Sequence, residues 1–277
     1  MQATNQAAAP DLAAVKKKQN QVWASGDYSA VATRIVLIAE NLCDAADLRA
    51  GAEVLDVATG SGNAALAAAR CGCVVTGIDY VPALLERARA RAATEGLDIR
   101  FLDGDAESLQ FPDASFDAVL SVVGVMFTPD QERAAAELLR VCRPGGTIAL
   151  ANWTPDSFIG DMFRTVGRHL PPPAGVKPPI LWGTEERVRQ LFGDGTAELS
   201  MRRRTFTFRF RSPADFVDFF RTNYGPTIAS FAALDATAQS RLADDLTSLV
   251  QRYDRLGGAP VAIPSEYLEV VAVRAER

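Results

Sequence analysis

At 277 residues, the chain is long enough for one large domain with its own core, and far too long for a disulfide-stapled miniprotein. Hydrophobic residues make up 48% and charged residues 23%, with 20 Gly and 15 Pro, which excludes a disordered or collagen-like chain. A formal net charge of -5 supplies no global cationic field to draw the protein onto nucleic acid or an anionic membrane.

In chain order, the N-terminal MQATNQAAAPDL is polar and Ala-rich and is expected to fray. Val31, Ile35, Ile38, Ala39 and Leu42 recur at helical spacing and predict one amphipathic helix over 28–43. After a turn at 49–53, residues 54–58 read as a short buried strand, 59–63 as a tight turn and 64–70 as a helix. Residues 74–79 form a second predicted strand, and Pro82 opens the next helix where no backbone donor is needed. Residues 99–102 and 116–123 are the third and fourth strands, parted by the polar turn 111–115. Ala134, Ala135, Leu138, Leu139 and Cys142 stripe a helix that ends at Pro144-Gly145-Gly146 before a fifth strand, 147–151. Strands alternating with helices through short connections argue a parallel sheet covered on both faces.

The pattern changes after Trp153. Residues 154–199 carry Pro171-Pro172-Pro173 and Pro178-Pro179 among short helical patterns and read as a packed insertion. Phe206, Phe208 and Phe210 alternate with polar residues as a strand with one buried face. Ser212 caps a helix begun by Pro213, with Asp215 in the capping-box position and an apolar face of Phe216, Phe219 and Phe220. A helix over 237–256, Gly257-Gly258 and a strand over 267–273 complete the chain, so an antiparallel edge on a mostly parallel sheet is expected.

Four cysteines make no disulfide framework, and Cys71-Gly72-Cys73 lacks the two-residue spacer of a redox or zinc pair, so no metal is expected. Only four of the 29 basic residues are Lys, three of them at 16–18, a bias that reads as a coding preference. No apolar run approaches the roughly 20 residues of a membrane span, and no signal-peptide core precedes a small-residue cleavage site, so a cytoplasmic protein is expected.

Gly60-Ser61-Gly62 directly after a buried strand permits a tight turn and close approach of a ligand to the next helix. Asp79, at the end of the second strand, is placed to accept the hydroxyls of a ribose. With Ala65 in the third position the same stretch satisfies a loose dinucleotide pattern, which keeps an NAD-dependent oxidoreductase open.

Four motifs in order sharpen this. Glu53 to Gly62, Gly77-Ile78-Asp79, Gly104-Asp105-Ala106-Glu107 with Leu109 and Phe111-Pro112 beyond it, and Leu139 to Gly146 make residues 53–153 resemble the class I S-adenosylmethionine-dependent methyltransferases, in the group that includes the ubiquinone and menaquinone biosynthesis enzymes. The resemblance implies an α/β fold with a Rossmann-like, seven-stranded, mostly parallel sheet, an antiparallel last strand, helices on both faces and a cap inserted after the fifth strand. It divides a single domain, 1–277, into N-terminal helices (20–48), a cofactor-binding core (53–153), a substrate cap (154–200) and C-terminal strands and helices that complete the sheet and acceptor pocket (201–277).

It further implies S-adenosyl-L-methionine as cofactor. The backbone at Ala58, Gly60 and Gly62 would approach its methionine portion; Asp79 would hold the ribose, Asp105 the adenine amino group and Ala106 the ring edge, with Tyr80 and Leu109 as apolar cover. Asp56 would meet the cofactor through water or tie down its own loop. Val123 would stand beside the sulfonium, and Trp23 and Tyr28 would close over the cofactor or simply pack the first helix.

Phe127, Asn152, Trp153, Asn223 and Tyr224 are candidate walls of the acceptor site. His169, the only histidine, is the candidate base or orienting residue, set against a purely structural histidine. Methyl transfer is an in-line displacement on an already activated carbon, so alignment and exclusion of water come first and a base is not obligatory. Phe and Trp crowd residues 153–231, which favours an apolar or aromatic small-molecule acceptor over a sugar or nucleotide. Arg202-Arg203-Arg204 has no accompanying stacking platform, and Ser121-Val122-Val123-Gly124 replaces the Asn-Pro-Pro-Tyr type of motif of nucleic-acid-methylating relatives. No Lys stands between Lys18 and Lys177, which removes a Tyr-x-x-x-Lys oxidoreductase pair from the centre. A non-catalytic cofactor-binding scaffold stays open, as does a homodimer.

Overall fold

The computed structural model describes residues 10–276, so most of the stretch expected to fray lies outside the described residues. Its last residue, Leu12, opens a helix that the sequence pattern did not predict. Asp11 accepts from the amides of Ala13 and Ala14, both at 3.1 Å, and caps α1 (Leu12–Trp23). The helix predicted over 28–43 is broken into α2 (Tyr28–Ala32), a 3-10 turn (Thr33–Ile35) and α3 (Val36–Ala45). The Thr33 hydroxyl donates to the Ala30 carbonyl, 3.0 Å, a local bond of the kind that competes with helix continuation.

Then follow β1 (Glu53–Val57), α4 (Asn63–Arg70), β2 (Val74–Asp79), α5 (Pro82–Glu95), β3 (Ile99–Asp103), β4 (Phe116–Val122), α6 (Gln131–Val141) and β5 (Cys142–Trp153). The second half holds α7 (Phe158–His169), a 3-10 turn (Pro179–Gly183), α8 (Glu185–Phe192), β6 (Thr196–Phe210), α9 (Pro213–Asn223), α10 (Gly225–Ala232), α11 (Ala236–Tyr253) and β7 (Val261–Arg274).

The seven strands form one sheet in the order β3-β2-β1-β4-β5-β7-β6. The first five are parallel, and β7 is antiparallel to both of its neighbours. The two late strands therefore form the antiparallel edge that the sequence pattern implied, although the strand that runs antiparallel to the rest, β7, is not outermost. It is inserted between β5 and β6, and β6 takes the edge. Both late strands are longer than their apolar alternation shows. Residues 196–205 carry the arginine cluster and are mostly exposed, and β7 continues through Pro264, which pairs with Thr207 on the edge strand. Arg203 pairs with Glu266 at 3.0 Å and Arg204 with the buried Glu269 at 2.7 Å, so two of the three cluster arginines are engaged within the sheet. The start of β5 pairs Cys142 with Phe116 and, after a register shift, Thr147 with Ala118, so Pro144-Gly145-Gly146 lies in an irregular strand entry.

Helices cover both faces, with α3 on α4 in one layer and α6 on α8 in the other. Because β1 has β2 on one side and β4 on the other, the chain order reverses between β1 and β4. The carboxyl ends of these two strands open the crevice where such sheets place ligands.

Candidate functional site

A cleft opens at that reversal. The sharp turn after β1 is built from unusual backbone: Ala58 and Gly60 have φ of 54° and 55°, and Gly62 has 88° at the start of α4. At the end of β4, Val123 has φ 52°, a rare state for a β-branched residue. Gly124 follows it against β1, where a Cβ would stand 2.6 Å from the Ala58 carbonyl oxygen. Two non-glycine residues held in strained conformations thus face each other across the mouth of the sheet, a pattern that clusters at ligand sites.

Polar groups pin the loop. Arg91 on α5 donates to the Ser61 carbonyl at 2.6 Å and to Asn63 Oδ1 at 2.8 Å, while Asn63 Nδ2 donates to the Ala32 carbonyl at 2.8 Å. Asp79 accepts from the amides of Gly60 and Val81, each at 2.9 Å. Burial outweighs those bonds and raises its carboxyl to about 6. Asp56, 1% exposed, accepts from Thr59 Oγ1 at 2.5 Å and from the Ala65 amide at 2.9 Å, and burial raises it to about 7.

Of the residues expected to hold cofactor, Trp23, Tyr28, Ala58, Gly60, Asp79, Tyr80, Asp105, Ala106 and Val123 all line the cleft, and Phe127 joins them. Asp56 and Gly62 do not. Asp56 ties down its own loop, and a Cβ on Gly62 would point at Ala88 and Phe101, 3.2 and 3.4 Å away, in the packing between α4 and α5.

The sequence pattern missed the roof. α1 lies across the cleft, with Lys16 Nζ 2.6 Å from Asp105 and 2.8 Å from Glu107, Gln19 Nε2 on the Phe127 carbonyl at 3.0 Å and Asn20 Nδ2 on the Tyr80 carbonyl at 2.5 Å. Burial works against the Lys16 charge, but its bonds to both carboxylates outweigh it and raise the ammonium above its ordinary value. Asp105 thus carries an ion pair as well as the turn bond from the Glu107 amide, 2.9 Å. The signal available in the sequence was Asp11 as an N-cap, because α1 itself buries no residue fully.

A second cavity adjoins the cleft and shares Tyr28, Ile35 and Val123 with it. Its remaining walls are Val31, Trp153, Ile159, Met162, Phe163, Phe208, Phe220 and Tyr224. Trp23 links the two spaces, its ring 5.5 Å from Tyr28, 4.8 Å from Phe127 and 5.5 Å from Tyr224.

The other acceptor-site candidates lie elsewhere. Asn152 alternates away from Trp153 along β5 and is fully buried on the opposite side of the sheet, its amide without a partner among the described residues. Asn223 lines an outer groove instead, with its Nδ2 on the Phe219 carbonyl at 2.9 Å. His169 borders neither space. It sits six residues, about 9 Å of helix, beyond Phe163 on α7 and meets Asp245 of α11 at 2.8 Å. Its role as a base finds no geometric support, and the contact is one between helices. Among the described residues no group of His, Cys, Asp or Glu could hold a metal ion.

Comparison with known proteins gives this geometry its family. Residues 55–150 match the family model described as a methyltransferase domain. The uncharacterized protein Rv1403c of Mycobacterium tuberculosis is 41% identical over 238 residues, covering 84% of this chain and 87% of its own. The chain belongs to the class I S-adenosylmethionine-dependent methyltransferases. A demethylmenaquinone methyltransferase of Thermus thermophilus is 38% identical over 142 residues, 46% of this chain and 64% of its own. Among solved structures, the BH2331 protein of Bacillus halodurans shares the fold with a TM-score of 0.61 at 22% identity, over 86% of this chain and 98% of that one. The YcgJ protein of Bacillus subtilis does so with a TM-score of 0.61 at 20% identity, over 86% and 99%.

The cofactor of this methyltransferase is S-adenosylmethionine, and the residues present fit it. The cleft has a carboxylate at the end of β2, a glycine whose added Cβ would meet the Tyr28 ring at 3.4 Å, and aromatic cover at one end. No helix of the described residues is long and apolar enough to cross a membrane.

Proposed function

We propose that the protein transfers the methyl group of S-adenosylmethionine to a small apolar or aromatic molecule held in the inner cavity. The observation that carries this is the junction itself: a ring-lined hollow meets the cofactor cleft at Tyr28, Ile35 and Val123. In this reading the backbone of Ala58 to Gly60 holds the methionine portion, Asp79 the ribose hydroxyls, and Gly104 to Ala106 the adenine edge, with Tyr80 as cover. Asp105 then shares its carboxylate between the adenine amino group and Lys16. The bound cofactor supplies an electrophilic methyl carbon.

The protein's share is placement. Val123 fixes the boundary between the two ligands, Trp153, Phe208, Phe220 and Tyr224 orient the acceptor, and the roof of α1 with Trp23 keeps water out. Residues 53–153 then act as the cofactor core, 20–48 as its lid, and 154–200 with 201–277 as the acceptor side. The quinone precursor named for the Thermus relative is not carried over, since that match spans 46% of this chain.

The test is a labelled-methyl acceptor screen across apolar phenols, thiols and amines graded in size, with polar sugars and nucleosides as the opposing set. Turnover confined to the apolar set supports the reading. Turnover of sugars or nucleosides alone refutes it.

A further inference from the structure

If the inner cavity holds the acceptor, as proposed above, its walls also limit how acidic that acceptor must be. Among the described residues, the side chains that line it are aliphatic groups, one thioether and aromatic rings, and their only polar atoms are the indole N–H of Trp153 and the phenols of Tyr28 and Tyr224. Both phenols are held neutral. Burial, then the Asp79 charge, raises Tyr28 above its ordinary value, and burial, then Tyr28, does the same to Tyr224. Asp79 lies on the cleft side with two backbone amides on its carboxylate, and His169 is engaged with Asp245 beyond the cavity. No lining side chain takes up a proton near neutral pH.

An acceptor that arrives with a proton on its attacking atom would leave that proton in a space with no group to receive it. An amine would take over the sulfonium's positive charge as an ammonium, and its proton would likewise find no acceptor there.

We propose that the acceptor is a weak acid that enters with its attacking sulfur or oxygen already ionised: an acidic thiol, or a phenol or enol of comparable acidity, with a pKa of about 8.5 or below. Alcohols and simple amines are not substrates of this cavity. The proton leaves to solvent before the acceptor binds. The acceptor's lone pair then forms its bond to the methyl carbon while the carbon–sulfur bond of the sulfonium breaks and its electron pair stays on sulfur. One anion and one cation become two neutral molecules, and nothing else is consumed. Apolar walls suit this step, because the opposite charge across the junction attracts the anion strongly at low dielectric and both charges vanish on reaction.

The experiment takes the full chain and a series of substituted thiophenols and phenols of similar size but graded acidity, with aniline as the amine. For each, kcat/KM is followed from about pH 6 to about pH 10. The expected profile rises to a plateau with its inflection at that acceptor's own pKa, moving one unit for each unit of acceptor acidity. An inflection fixed at one pH for every acceptor, or turnover of aniline as fast as of the thiophenols, overturns the inference while the methyltransferase reading of the cavity stands. No turnover of any member overturns the inference, while the methyltransferase reading is decided by the broader acceptor screen.

A readout independent of turnover uses 4-nitrophenol, coloured only when ionised, bound in the presence of S-adenosylhomocysteine, whose sulfur is neutral. The apparent pKa of the bound phenol should rise, because the walls offer its anion nothing. A fall of a unit or more would reveal a proton acceptor or positive group in the cavity and overturn the inference.

Discussion

Around the cofactor cleft the chain works with backbone, and around the inner cavity it works with rings. The first region places Ala58, Gly60 and Val123 at φ between 52° and 55° and holds Asp79 with amides from its own loops. Those constraints act over a few residues, and each strained non-glycine position costs about 1–3 kcal/mol that the surrounding sheet must offset. The second region has no special backbone beyond Val123. It takes walls from α2, α7, α9, β5 and β6, with rings such as Phe208 and Phe220 at 6.2 Å and Phe220 and Tyr224 at 5.7 Å. A site set by backbone tolerates almost no added atom, whereas a site set by ring volume can be reshaped at modest cost.

Two glycine substitutions test that contrast most strongly. In Gly124→Ala the new Cβ meets the Ala58 carbonyl at 2.6 Å, and in Gly183→Ala it meets the Trp153 carbonyl at 1.9 Å. Both should destabilise the fold by about 2–3 kcal/mol in a denaturant melt. Only Gly124→Ala should also weaken S-adenosylhomocysteine binding by roughly 30-fold or more at a temperature where both variants are folded. Equal binding losses would erase the distinction between the regions.

Next in size is Trp153→Phe, which enlarges the inner cavity. It should shift relative kcat/KM towards bulkier acceptors by about tenfold, leave cofactor affinity within about twofold, and cost about 1–2 kcal/mol of stability. A matching loss of cofactor affinity would show that the two spaces act as one.

The acid limb of cofactor binding separates the regions by charge. With its carboxyl at about 6, Asp79 is ionised above that pH and protonated below it, and in the proposed pose the ribose hydroxyls donate to the ionised form. Cofactor affinity should be flat above pH 6 and fall by up to about tenfold per unit below it, since protonation competes with binding. Asp56 titrates at about 7 but faces its own loop, so Asp56→Asn should leave that limb in place while Asp79→Asn removes it. The smallest effect is expected from His169→Gln. kcat/KM and its pH profile should not change, and only a small stability loss from the Asp245 contact should be measurable.

The same contrast explains what could be read from the sequence. The cofactor side was legible because strand, glycine turn and carboxylate follow one another within β1, α4 and β2, where local spacing and spatial position coincide. The parallel core of the sheet followed from the same alternation. The acceptor side was only partly legible. Trp153 and Tyr224 were reached through their places after the fifth strand and after the Phe-rich helix, but the neighbouring Asn152 and Asn223 face away from the cavity, one on alternate strand geometry and the other at the end of α9. Which residue of an adjacent pair turns inward is set by packing between distant segments. α1 escaped notice because its surface is polar and its value lies in contacts from Lys16 and Asn20 to groups 60 or more residues away. The insertion of β7 between β5 and β6 is likewise a matter of long-range pairing that no local pattern carries.

The assignment of the cleft to the cofactor meets its sharpest test in a calorimetric titration of S-adenosylhomocysteine into the wild-type protein and Asp79→Ala at neutral pH. Two hydrogen bonds to a buried carboxylate, together worth about 3 kcal/mol, predict wild-type affinity reduced on the order of 100-fold in the variant with the fold intact. Equal affinity in the two proteins would contradict the assignment of the cleft as the cofactor site.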